Sequence, residues 1–224
     1  MTRWQDERSK RNWLRQGDAT KILLVEGQDD AHSIIALCEA HDLADGLFSF
    51  FVCDSVSKAL AKLDFLISDA EPRTAVGIVV DADEAGTAAR WDAIRSKPEI
   101  RRHYSLPPAP DAEGTIVPGT DVLPALGVWL MPDNANPGMP EDFLLHLAHP
   151  DGIAAARDTV AGVRGQPWAP FRDVHHSKAV IHTWLAWQDE PGKPLGQSIT
   201  SHALRPHTPI ALSFTDWLKR LFNA

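Results

Sequence analysis

Residues 75–84 read Ala75-Val76-Gly77-Ile78-Val79-Val80-Asp81-Ala82-Asp83-Glu84, and this stretch decides the fold. An apolar, β-branched run that stops abruptly at charge is the pattern of a strand buried on both faces of a parallel sheet. Its end carries two aspartates at i, i+2. In an extended chain that spacing points both carboxylates to one side. Ligands of open α/β sheets bind just outside the carboxyl ends of the strands, which is where this pair falls. Two carboxylates about 4 Å apart repel by about 4 kcal/mol at an effective dielectric near 20. Packing them together therefore calls for a cation, a shared proton or separation. The alternative is structural, with Asp83 as N-cap of the next helix and Asp81 in the loop.

Outward from this strand the pattern repeats. Lys21–Val25 is a second buried strand, followed at once by Glu26-Gly27. A helix opens at Asp29-Asp30 and carries Ile34, Ile35, Leu37 and Cys38 at helical spacing. Capping or first-turn charge accounts for Asp29 and Asp30, but not for Glu26, a poor cap at a strand end. Leu47–Cys53 reads as a third strand, and Ser55 caps a helix bearing Leu60, Leu63 and Leu66. A helix over about 86–96 has a basic outer face. Residues 104–125 are proline-rich loop, with a short strand at Thr115–Val117 pairing with the strand Gly127–Met131. Pro140 starts a helix with Glu141 and Asp142 in its first turn, where the helix dipole favours acids. Beyond residue 150 the reading is helical: Ile153–Val163, Ser177–Gln188, Leu195–Ala203 and Ser213–Phe222. Ser213 is the expected cap of the last of these, with Asp216 and Arg220 paired at i, i+4.

Strands alternating with helices predict a mostly parallel central sheet flanked by helices. The expected organisation is a basic arm over 1–20, an α/β core over 21–150 and a helical C-terminal extension over 151–224, packed on the core. With 224 residues and 44% hydrophobic content a sizeable core can form. No apolar run reaches the ~18 residues of a membrane span. The two cysteines, Cys38 and Cys53, lie in apolar segments without metal-ligand spacing, which suits buried thiols in a reducing cytoplasm. A net charge of −8 argues against passive binding of polyanions. It leaves room for a nuclease, because bound divalent ions reverse the local sign of a carboxylate group.

Acid thus closes three strands: Glu26 with Asp30 one turn on, Asp81 with Asp83, and Asp133. In this company a strand ending Val25-Glu26-Gly27 and a later one ending Asp81-Ala82-Asp83 resemble the Toprim domain of topoisomerases, bacterial-type primases, recombination proteins and OLD-type nucleases. The chain is also similar to small, stand-alone bacterial Toprim-related proteins of unknown function, through Gly127–Asn134 and Lys178–Trp187. The resemblance implies a Toprim-like α/β fold. It also implies proton transfer, or metal binding, by Glu26 and Mg²⁺ (or Mn²⁺) held by Asp81 and Asp83. Asp30 matches a second acid of the OLD-type nucleases, and Lys178 is the candidate for the lysine they use to stabilise phosphate charge. Asp133 and Glu141 are secondary candidates for the metal. Ala85 stands where a third aspartate of the Asp-X-Asp-X-Asp form would be, and the chain has neither a P-loop nor a topoisomerase-type tyrosine; its one tyrosine is Tyr104.

The expected function is a Mg²⁺-dependent phosphodiesterase or nuclease acting on DNA or RNA, in defence or repair. The alternative is a non-catalytic module that binds nucleic acid or a partner ATPase. A receiver-like phosphoacceptor is disfavoured by the order of elements.

Overall fold

The computed structural model of the chain describes residues 19–223. All but the last two residues of the basic arm expected over 1–20 lie outside that range. Five strands form one sheet: β1 (Lys21–Val25), β2 (Ser49–Val52), β3 (Ala75–Asp81), β4 (Thr115–Val117) and β5 (Ala125–Met131), in the order β2-β1-β3-β5-β4. β2, β1, β3 and β5 run parallel and only β4 is antiparallel, pairing with β5 as its spacing suggests. The chain moves from β1 outward to β2, then returns to the other side of β1 to form β3. That reversal opens a crevice between the carboxyl ends of β1 and β3.

Between the strands lie α1 (Gln28–Ala40), α2 (Val56–Ser68), α3 (Gly86–Arg95) and α4 (Pro98–His103). The remainder is α5 (Pro140–Leu145), α6 (Pro150–Val163), α7 (His176–Ala186), α8 (Leu195–Thr200) and α9 (Pro209–Phe222). Alternating strand residues face opposite layers. Leu24, Val76, Ile78, Val80, Val128 and Leu130 pack against Leu60 and Leu63 of α2, Trp91 and Ile94 of α3 and Ile100 of α4. Leu23, Val25, Val79, Trp129 and Met131 share the other core with α1 and with helices from α5 to α9. α1 over β1 and β2, and the C-terminal helices over β3 and β5, together cover this face of the sheet.

α9 lies on the central strands because two glycines admit it. Gly77 and Gly127 are register partners on β3 and β5. A Cβ at Gly77 would sit 2.8 Å from both Leu221 and Leu23, and one at Gly127 would also strike Leu221.

Several local expectations give way to the structure. α9 begins at Pro209 after Thr208 as N-cap, so Ser213 lies inside the helix; proline at the first helical position suits its fixed φ. Asp216 approaches Lys219 at 3.9 Å, while Arg220 donates to the Glu113 carbonyl at 2.5 Å, so the Asp216–Arg220 pair does not form. α4, also started by a proline, was not legible between the longer elements. The cap of α3 is Ala85, without a side-chain bond, so Asp83 does not cap that helix. Among the described residues no helix is long and apolar enough to cross a membrane.

Candidate functional site

Glu26 follows the last residue of β1, and Asp81 is the last residue of β3. The registered pairing of these strands runs as far as Leu24 and Ile78. Beyond it the Glu26 side chain continues the ladder, its Oε1 accepting the Asp81 N–H at 3.0 Å. The two acids thus meet at the switch-point crevice. Burial pushes the Glu26 carboxyl up, the Asp81 N–H opposes this, and the charge of Asp83 adds to it.

Asp81 is the most perturbed acid of the group. Burial, then the charges of Glu26, Asp30, Asp83 and Glu141, push it from 3.8 to about 9. No hydrogen bond from a described residue reaches its carboxylate, so an acid in this position keeps its proton at neutral pH unless a cation arrives. Asp30 sits in the first turn of α1, where its Oδ2 accepts the Gly27 N–H at 2.7 Å. Burial raises it to about 6 against that bond, helped by Glu26, Glu141 and Asp29.

Asp83 reaches the site differently from its expected i, i+2 alignment. The chain leaves the extended conformation here, with Asp83 at φ 55 and its N–H bonded to the Gly138 carbonyl at 2.9 Å. Its Oδ2 receives Arg90 Nη2 at 2.6 Å, and Arg90 Nε donates to the Asp81 carbonyl at 2.6 Å. Arg90, on α3, therefore ties together the backbone of one aspartate and the side chain of the other. It belongs to the helix face that the sequence suggests is basic and outward, yet its side chain is only 12% exposed. Nothing in the local pattern distinguishes it from a surface arginine.

Glu141 is the second residue the sequence undervalues. Dipole complementarity describes its neighbour Asp142, whose Oδ2 accepts the Met139 N–H at 2.9 Å. Glu141 instead is buried at 7% exposure and pairs with Lys178 Nζ at 3.1 Å. The Ser177 hydroxyl donates to Asp142 as well, so α7 is pinned to α5 by two adjacent contacts. Those contacts bring Lys178 to the acids from far along the chain. The Glu141 hydrogen bond and charge raise the Lys178 ammonium, with Asp29 and Asp30 adding and burial opposing. Asp133 stands apart from this arrangement. Burial pushes it up, but hydrogen bonds from Asn136 and Ala135 together hold it below its usual range, at 2.6–3.0 Å. Its carboxylate is spent on its own turn.

The donor set is hard and anionic, the chemistry that suits Mg²⁺ or Mn²⁺. As the side chains lie, no three His, Cys, Asp or Glu among the described residues form a group that could hold an ion together. Mg²⁺ commonly takes only one or two protein carboxylates and completes its shell with water and substrate phosphate, and the Asp81 carboxylate with the second oxygen of Glu26 fits that demand. The described cations beside the acids, Arg90 and Lys178, are each committed to one of them, on Asp83 and Glu141.

No curated protein and no solved structure matches the chain. A family model does match residues 20–223, nearly the whole described range, and the chain belongs to that family, described as a protein of unknown function (DUF3226).

Proposed function

We propose that the chain is a Mg²⁺-dependent phosphodiesterase acting on DNA or RNA. The observation that carries this reading is the meeting of Glu26 and Asp81 at the switch point, Oε1 to N at 3.0 Å, with an Asp81 carboxylate that its surroundings leave uncompensated. The resemblance of Glu26-Gly27 and Asp81-Ala82-Asp83 to Toprim motifs supports the same chemistry. Asp81 would hold the ion, with Asp30 and Asp83 contributing the oxygens not bound to Gly27 and Arg90. Once bound, Mg²⁺ or Mn²⁺ supplies neutralisation of phosphate charge and a water of lowered pKa.

The protein's own groups have separable tasks. Glu26, with its pKa raised by burial, offers the oxygen not bonded to Asp81 either to the ion or, in place of that, to a proton of the attacking water. Arg90 holds the Asp81 backbone and the Asp83 carboxylate in register. Lys178 stays protonated and offers positive charge to a phosphate oxygen as negative charge develops there. The test is cleavage of plasmid, single-stranded DNA and RNA with Mg²⁺ or Mn²⁺ and with chelator. Asp81→Ala and Asp83→Ala are each expected to lower the rate by about 100-fold or more, above the loss typical of residues that merely support a metal ligand. Undiminished cleavage in both variants would overturn the assignment.

A second reading is a non-catalytic module, in which the same crevice docks nucleic acid or a partner ATPase. The pairing of Asp83 with Arg90 and Glu141 with Lys178 favours it, since both pairs neutralise acid without a metal. Absence of cleavage by the wild-type chain with either ion would select this reading.

A further inference from the structure

Beside the acidic crevice lies a surface that the chemistry above does not use. Phe51 on β2 and Phe65 on α2 are 43% and 53% exposed, unusual for phenylalanines on a chain with ample core to fill. They line an open hollow of about 590 Å³ with Cys53, Asp54, Lys58 and Lys62, within the size range of ligand clefts. Lys62 Nζ stands 4.6 Å from the centre of both rings, so rings and ammonium form one continuous aromatic and cationic surface. Among the described residues Lys58 pairs with Asp54 alone, at 3.3 Å, with both side chains largely exposed, and such a pair is easily exchanged for another anion.

Backbone hydrogen bonds tie the edge of this hollow to the strand that ends in Glu26. Asp54 N–H donates to the Glu26 carbonyl at 2.8 Å, and Cys53 N–H to the Val25 carbonyl at 2.9 Å. α2, which carries Lys58, Lys62 and Phe65, starts beside the Glu26 carboxylate, whose pKa the Val56 N–H helps to lower. One rim of the sheet thus presents, in sequence, two exposed rings with two lysines and then the crevice acids.

We infer that this surface binds single-stranded nucleic acid, stacking bases on Phe51 and Phe65, with Lys58 and Lys62 against the adjoining phosphates, and feeds the strand toward Glu26 and Asp81. The inference deepens the nucleic-acid reading above and rests on it for the ligand class. Aromatic platforms interleaved with cations are the means by which proteins bind single strands without reading sequence. A duplex cannot use the rings, because its bases are already stacked on one another. A base stacked on a ring gains more than an exposed cation–π contact of this kind. The displaced Lys62 ammonium then meets the neighbouring phosphate. Charge complementarity is local: in a chain of net charge −8 two lysines line the same hollow as these two rings.

The experiment is fluorescence anisotropy with a labelled oligothymidine of about 12 nucleotides, within the usual site size, on the full chain in chelator, so that binding is read without cleavage. Phe65→Ala and Lys62→Glu are each expected to weaken binding about tenfold, and Phe65→Trp to retain it. A matched duplex should respond little to Phe65→Ala. With two phosphate contacts, log K should fall against log salt with a slope of about −1.4 at most, and Lys62→Glu should flatten it by about 0.7. Phe65 is exposed and Lys62 half-buried, and an unchanged melting temperature checks that each variant is folded. Failure of the wild type to bind the oligonucleotide, or equal binding by Phe65→Ala, overturns the inference. Cleavage that survives both Phe65→Ala and Lys62→Glu with unchanged strand preference also overturns it and leaves the nuclease reading intact. Binding lost in Phe65→Ala, without cleavage in Mg²⁺ or Mn²⁺, supports this surface while removing the phosphodiesterase.

Discussion

Asp81 joins sequence to chemistry at the scale of one side chain. Its carboxyl group is lifted from 3.8 to about 9 by burial and by four neighbouring acids. In chelator the folded chain keeps that proton through a pH range in which the unfolded chain has released it. The folded state then binds more protons, so this group's contribution to stability is complete below about pH 4 and is lost as pH rises toward 9. Asp81→Asn removes the loss. In chelator the variant should match the wild type near pH 4 and melt higher at about pH 8, by at least the 2–4 °C that about 1 kcal/mol produces in a chain of this size. Added Mg²⁺ should raise the melting temperature of the wild type at that pH by mass action, and raise that of Asp81→Asn much less. Scanning fluorimetry across pH measures both effects. A wild type equally stable at pH 5 and pH 8 in chelator would show that Asp81 ionises freely.

At the scale of the element, the strand glycines explain why α9 packs where it does. Glycine inside a strand weakens it unless something approaches closely, and here Leu221 fills the space over Gly77 and Gly127. Gly127→Ala forces a methyl group into Leu221 and should cost about 1–3 kcal/mol, the usual range for overpacking. Leu221→Ala alone should cost about 2–5 kcal/mol by leaving a cavity. The double variant should be less destabilised than the sum, since the added methyl and the lost isobutyl group share the same volume. Urea denaturation of the four proteins completes the cycle, and strict additivity would mean that α9 rests elsewhere. The same scale accounts for Lys178. Its helix is fastened through Ser177 to Asp142 and through Lys178 itself to Glu141, so a short helix from the C-terminal region brings a cation to a site built by the N-terminal strands.

For the whole molecule, the C-terminal helices cannot be treated as an ornament on the sheet. Phe214, Trp217, Leu218, Leu221 and Phe222 of α9 are buried in the core that includes Leu23, Val79 and Trp129, and Phe48 stacks on Phe222 at 4.4 Å. Burial contributes about 1.5–3 kcal/mol for each such side chain. Five of them approach or exceed the whole 5–15 kcal/mol stability of a typical protein. A chain ending before Pro209 should therefore lose cooperative unfolding in urea and bind apolar dyes, as circular dichroism and dye fluorescence would report. Retained two-state unfolding would contradict the layer arrangement seen here.

The α/β class and its parallel strands were legible in the amino-acid order, because continuous apolar runs of β-branched residues ending in charge have few other ways to be buried. The acids at the ends of β1 and β3 were legible for the same reason: a strand that stops in carboxylate places it where the sheet meets solvent. Glu141 and Arg90 were not legible, since helix periodicity records which face is apolar and not which polar residue a distant element will bury. The turn of Asp83 into the left-handed region likewise depends on chain far away, at Gly138, whereas the start of α9 at Thr208-Pro209 is a local signal that the reading from Ser213 passed over. Tertiary structure alone decided which strands became neighbours. That choice turned separate strand-end acids into one crevice, because electrostatic coupling depends on distance in space and the sequence specifies only distance along the chain.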